Sequence, residues 1–190
     1  MSELLVVRSL PDQALEPIGD GWTVYGRAVP YGIEQEVTDD GVGRYWEEWE
    51  PGVFSRDVDK GGRWVNLFAG HRGDDGDRWL GRCVALEEQE DGLYPSFRLN
   101  RSHPQAEAAR SGELTGWSIG AKIFRSRQVQ RAGRTVILRE AAGLNHVAAT
   151  AHPQYAGAGV LVAREHELVV EATPLRDTHR AALDALRASR

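Results

Sequence analysis

Few side chains in this sequence have the means to break a covalent bond. His71, Ser118, His146 and Cys83 are the candidate bases and nucleophiles, and Asp74, Asp75 and Asp77 form an acidic cluster. A serine hydroxyl becomes a nucleophile only when a base accepts its proton. An imidazole within hydrogen-bond reach is the usual base, and a third group fixes its tautomer. His71 follows Gly70 at the end of an expected strand, which leaves space beside the ring. Ser118 lies within Gly116-Trp117-Ser118-Ile119-Gly120, where a glycine on either side lets another group come close. The other candidates read as structural. Cys83 fits a small core residue. Asp74-Asp75-Gly76-Asp77 lacks the glutamate that closes a calcium loop and reads as a hairpin turn. His103 and His152 have no paired spacing of the kind a metal site needs, and read as helix-start and loop residues.

Composition narrows what such a site can serve. The chain has 190 residues, 41% hydrophobic and 27% charged, which is the balance of one ordinary globular domain. No run of eighteen apolar residues exists, so no membrane span is expected, and Met1-Ser2-Glu3-Leu4-Leu5 does not read as a secretory signal. A single cysteine excludes an internal disulfide. The net charge of −5 argues against a general nucleic-acid binder, and the six tryptophans read as core and rim packing. Only two of the 23 basic residues, Lys60 and Lys122, are lysines, but the arginines form no cluster that would mark a phosphate site.

The elements that must position these residues are mostly strands. Trp22–Val29, Arg63–Ala69, Trp79–Glu88 and Leu93–Leu99 read as strands, with a tight turn at Glu90-Asp91-Gly92 and an edge or bulge at Pro95. Leu4-Leu5-Val6-Val7 reads as a further strand of the domain, and residues 33–50 as an acidic stretch with a turn at Asp39-Asp40-Gly41. A helix is expected over 102–111, capped by Ser102 and stopped by Gly112. Gly116–Phe124 returns to strand, Ala132-Gly133 turns a hairpin, and Leu144–Thr150 is a last strand. Leu175, Ala182, Leu183 and Leu186 give a C-terminal helix at about 174–187. The expected fold class is therefore mostly β with flanking helices (α+β), a sheet or barrel, in a domain over 1–165 followed by an extension over 166–190.

In order and spacing these landmarks resemble a known family. They are Gly26-Arg27-Ala28, Glu50-Pro51-Gly52-Val53-Phe54, Leu67-Phe68-Ala69-Gly70-His71, Leu80-Gly81-Arg82, Glu90-Asp91-Gly92-Leu93 and Leu114-Thr115-Gly116-Trp117-Ser118-Ile119-Gly120. A long string, Leu144-Asn145-His146-Val147-Ala148-Ala149-Thr150 continuing to Val160, closes the series. Together they resemble the tailed-phage prohead (capsid maturation) serine proteases, which are related in fold to the herpesvirus capsid assembly proteases. The resemblance runs from about residue 20 to 162. It implies a herpesvirus-protease-like, closed or partly closed antiparallel β-barrel.

It also implies a role for each matching position. His71 is the general base and Ser118 the nucleophile that forms the acyl-enzyme. The third position departs from the phage pattern, which carries a carboxylate in a Glu-Val-Ser-like string where this chain reads His146-Val147-Ala148. The herpesvirus relatives use histidine there. A neutral imidazole accepts a hydrogen bond from the His71 ring but gives the developing imidazolium no full negative charge. Glu140 is the alternative third member. The oxyanion hole, which needs backbone N–H groups aimed at the developing charge, falls by resemblance on the loop His152, Pro153, Gln154, Tyr155, Ala156 and Gly157. No cofactor or metal is implied.

The implied activity is that of a serine endopeptidase. It cleaves scaffold or the N-terminal scaffolding region of the major capsid protein during procapsid maturation, and also itself. The implied partners are the capsid protein, the scaffold and further copies of the chain, not nucleic acid or membrane. The implied location is the host cytoplasm and then the procapsid interior, without secretion. The alternative is a catalytically inactive homologue that acts as an assembly or scaffolding factor.

Overall fold

The structure is a computed structural model that describes residues 4–10, 16–39, 43–70, 78–114 and 116–150; for residues 4–10, 16, 17 and 39 it describes the backbone only. These residues belong to the first of two compact units, Met1–Val160; the second, Leu161–Arg190, lies outside the described residues, as do the expected boundary near 165 and the helix at 174–187.

Eleven strands among the described residues make one sheet. In chain order they are β1 (Leu4–Leu10), β2 (Glu16–Ile18), β3 (Thr23–Tyr25), β4 (Val29–Pro30), β5 (Gln35–Asp39), β6 (Gly43–Trp49), β7 (Asn66–Ala69), β8 (Gly81–Gln89), β9 (Gly92–Leu99), β10 (Gly116–Arg131) and β11 (Arg134–Thr150). Two short helices interrupt them, α1 (Ser55–Val58) and α2 (Ala106–Ser111). The sheet order is β1-β10-β11-β7-β8-β9-β3-β2, with β4 on β9, and β6 joining β11 to β5.

The expected antiparallel barrel, closed or partly closed, is not what these strands form. The sheet is open, since β1 and β2 at its two ends do not pair with each other among the described residues. It is also mixed, because β6 and β7 both run parallel to β11. The chain leaves β6, crosses through residues 50–65 with α1, and re-enters alongside the same strand. Such a crossover delivers a parallel neighbour where a tight turn would deliver an antiparallel one.

The expected strand Gly116–Phe124, the hairpin at Ala132-Gly133 and the strand Leu144–Thr150 prove to be one continuous pair. β10 and β11 are 16 and 17 residues long. Ala132 (φ 49°) and Gly133 (φ 78°) both lie in the left-handed region, as a two-residue hairpin turn of matching twist requires. The pair of β5 and β6 falls within the acidic stretch, where only a turn was expected. Pro95 pairs with Leu86 on one side. On its other side it faces the break between β3, which ends at Tyr25↔Ser96, and β4, which begins at Val29↔Leu93, so its missing N–H leaves no ladder bond unmade. Helix α2 starts later than expected, without a side-chain cap; instead the Gln105 N–H donates to His103 Nδ1 at 3.1 Å.

The core gathers Val24, Trp49, Phe54, Leu67, Leu80, Leu93, Phe97, Trp117, Ile119 and Val147, each 2% exposed or less. Trp49 stacks on Phe54 and Phe97 tilts against Trp117. Trp64 and Trp79 are exposed, under the guanidinium groups of Arg63 and Arg82.

Candidate functional site

Alternation along β10 sends its residues to opposite faces. Trp117, Ile119 and Ala121 enter the main core; Ser118 and Gly120 take the other face. The antiparallel register pairs Ser118 with Ala148 and Gly120 with His146. Ser118 and His146 are therefore diagonal neighbours on one face of the sheet, a relation that separates backbone positions by about 7–8 Å and lets side chains meet. On the far side of β11, Phe68 pairs with Ala148 and reaches the same face. Its ring meets the His146 imidazole edge-on, with centroids 5.8 Å apart. Ser118 is fully buried and His146 is 4% exposed.

The imidazole lies directly over Gly120. A Cβ built on Gly120 would stand 2.7 Å from His146 Nδ1 and 3.0 Å from Nε2, and closer still to Cε1. The second glycine of the Gly-x-Ser-x-Gly string thus admits a side chain from the next strand. Small Ala148 keeps the floor low beside it.

The orientation of His146 also depends on a break in the ladder. Gly120 pairs with His146, but Ala121 pairs with Leu144, so Asn145 is the extra residue of a β-bulge. Bulges re-aim side chains and recur beside functional sites. Asn145 is exposed, and its Nδ2 lies 3.5 Å from His146 Nδ1, the outer limit of a hydrogen bond.

The two strands carry no acid over 116–121 or 141–150. Glu140 stands six residues before His146 on β11, about 20 Å away along a strand. It is held there by two arginines, with Arg125 Nε donating to Oε2 at 2.9 Å and Arg127 Nε to Oε1 at 2.7 Å. The structure thus brings Ser118 and His146 together and leaves Glu140 elsewhere.

His71 and the loop 152–157 lie outside the described residues, as do Asp74, Asp75 and Asp77. Before His71 the described residues end at Gly70, and the Gly70 N–H donates to Ala149 O at 2.9 Å. Ala149 neighbours Ala148, the cross-strand partner of Ser118. Gly70 is thereby tied to β11, the strand that carries His146.

Cys83 is half-buried, with its Sγ donating to Ala85 O at 3.1 Å; burial raises the thiol to about 11, so it holds its proton at neutral pH. Among the described residues no group of three potential metal ligands occurs, and no helix is long and apolar enough to cross a membrane.

Sequence reasoning passed over three residues around this site. Phe68 stood in the Leu67–His71 string without a role of its own. Gly120 was read as a generic close approach. Asp57, whose Oδ2 accepts the Leu144 N–H at 2.7 Å beside the bulge, carried no signal at all.

Fold and site together define a β-rich protein with a buried serine and histidine on adjacent strands of an open sheet. No family model and no curated protein matches the sequence. Among solved structures, the fold is similar to that of the bacteriophage T4 capsid assembly protease, over 80% of this chain and all of that one, with a TM-score of 0.51 and 13% sequence identity. At that identity the likeness is one of fold.

Proposed function

We propose that this chain is a serine endopeptidase that matures a phage procapsid. The observation that carries the reading is the placement of Ser118 and His146 on one sheet face by the β10–β11 register, next to the point from which His71 extends. In this reading the Ser118 hydroxyl attacks the peptide carbonyl carbon and its proton passes to His71. His71 then delivers that proton to the leaving amine as the C–N bond breaks, and water hydrolyses the acyl-serine ester. His146 accepts the second ring N–H of His71 and holds its orientation. Backbone amides of residues 152–157 stabilise the oxyanion. Substrates are the scaffold, or the scaffolding region of the capsid protein, and the protease itself. The similarity of fold to a capsid assembly protease supports this choice of substrate class.

The full burial of Ser118 favours a second reading, an assembly factor that keeps the fold without turnover. Co-expression with the major capsid protein separates the two. A processed capsid protein with the wild-type chain and an unprocessed one with Ser118→Ala supports the protease. Assembly without processing in both cases supports the scaffold.

A further inference from the structure

Strand β11 has a gap on one edge. β6 covers Val136–Arg139 and β7 covers Val147–Ala149, but neither reaches the residues between. The segment that joins β6 to β7 fills the gap. The Glu50 N–H donates to Arg139 O at 3.1 Å, and the Ala142 N–H donates to Val53 O at 2.9 Å. Next along β11 the acceptor changes from backbone to side chain, because the segment has turned into α1. The Leu144 N–H donates to Asp57 Oδ2 at 2.7 Å.

That bond falls at a sensitive place. Leu144 is the last paired residue before the bulge at Asn145, and His146 is the first after it. An extra residue in a ladder is held by the bonds on either side of it. Here the bond on the near side is made by a carboxylate, and a charged acceptor holds an N–H about twice as strongly as a neutral one. Gly143 brings the backbone close: a Cβ there would lie 3.9 Å from the same Asp57 oxygen and 3.0 Å from the Phe124 ring.

We infer that Asp57 is a positioning residue for His146, pinning through the Leu144 amide the bulge that lays the imidazole over Gly120. The kinetic consequence rests on the protease reading above; the structural one does not.

The test uses the full chain with Asp57→Ala and Asp57→Asn, and two readouts. The first is the His146 ring signal in proton–carbon correlation spectra, assigned by its loss in His146→Ala. The edge-on Phe68 ring makes that signal sensitive to small displacements. Asp57→Ala is expected to move it while the His103 ring signal stays, and Asp57→Asn, which keeps an acceptor, to restore most of its position. The second readout is turnover. The kcat of Asp57→Ala should fall by about tenfold to a hundredfold, as small misplacements of catalytic groups do, with KM unchanged within about twofold. In the His146→Ala background the same change should cost less than about threefold, since the two then act as one unit. An unmoved His146 signal in folded Asp57→Ala, or losses that multiply, would overturn the inference. Should Asp57→Ala not fold, Asp57→Glu keeps the charge but shifts its oxygens by a methylene. It is expected to displace the signal, and an undisturbed one would again overturn the inference. If the wild-type chain shows no turnover, the protease reading fails and the ring signal alone decides the role of Asp57.

Discussion

The two ends of the β10–β11 hairpin share strands but not construction. At the site end, Gly116–Ala121 are buried and faced by Leu144 and by His146–Ala149, small or apolar residues apart from His146. At the turn end, Phe124–Gln128 are exposed and the strands are laced by ion pairs. Arg125 and Arg127 hold Glu140, Arg127 also reaches Glu50, and Arg131 and Arg134 share Glu34. Beneath them Arg139 and Glu47 form a buried pair at 2.9 Å, with the Tyr45 hydroxyl accepting from Arg139. Geometry at the site end is set by contact, where a methyl group is too much. At the turn end it is set by charge, and several partners share each load. Exposed pairs of that kind contribute little one at a time. The two ends should therefore answer mutation differently.

The largest effect is expected at the proposed nucleophile. Ser118→Ala or His71→Ala should lower processing by several orders of magnitude, and the double variant should be little worse than either, because triad members act as a unit. Processing by Ser118→Ala at the wild-type extent would show that the site end does no chemistry. Next comes Gly120→Ala, which forces its Cβ into the His146 ring. It should lower turnover by about a hundredfold and destabilise by about 1–3 kcal/mol, the usual cost of overpacking; wild-type kinetics would mean that the ring position is irrelevant. At the turn end, Arg139→Ala breaks the buried ion pair with Glu47 and should cost about 3–5 kcal/mol in denaturant unfolding, with turnover per folded molecule unchanged. The smallest effect is expected from Glu140→Gln, with activity within about twofold of wild type. Were it to lose more activity than His146→Ala, Glu140 would be the third member and the contrast between the two ends would collapse.

What could be read from the sequence follows the same division. Turn chemistry was legible: Asp91-Gly92, Ala132-Gly133 and the stop at Gly112 stand where expected. The close approach at Ser118 was legible in its flanking glycines, whereas His146 entered only through the family resemblance, and the catalytic roles of both stand as proposals. The continuity of β10 was not legible, because Arg125–Gln128 are exposed and carry no apolar alternation. β6 was missed for the opposite reason, since two of its buried positions are Glu47 and Glu48, whose arginine partners lie some ninety residues away in the sequence. Sheet closure was misjudged because it depends on which edges meet, and no local pattern encodes that. Asp57 acts through a backbone amide beside a bulge, so its residue type gives no hint of its partner.

In the proposed reading Ser118 is an activated nucleophile. A fluorophosphonate probe applied to procapsids assembled with the wild-type chain tests it directly, because it phosphonylates only a serine whose proton is being taken. The adduct should map by peptide mass spectrometry to Ser118 and vanish in His71→Ala. Assembled procapsids in which Ser118 stays unlabelled would contradict the claim and leave the chain an assembly factor.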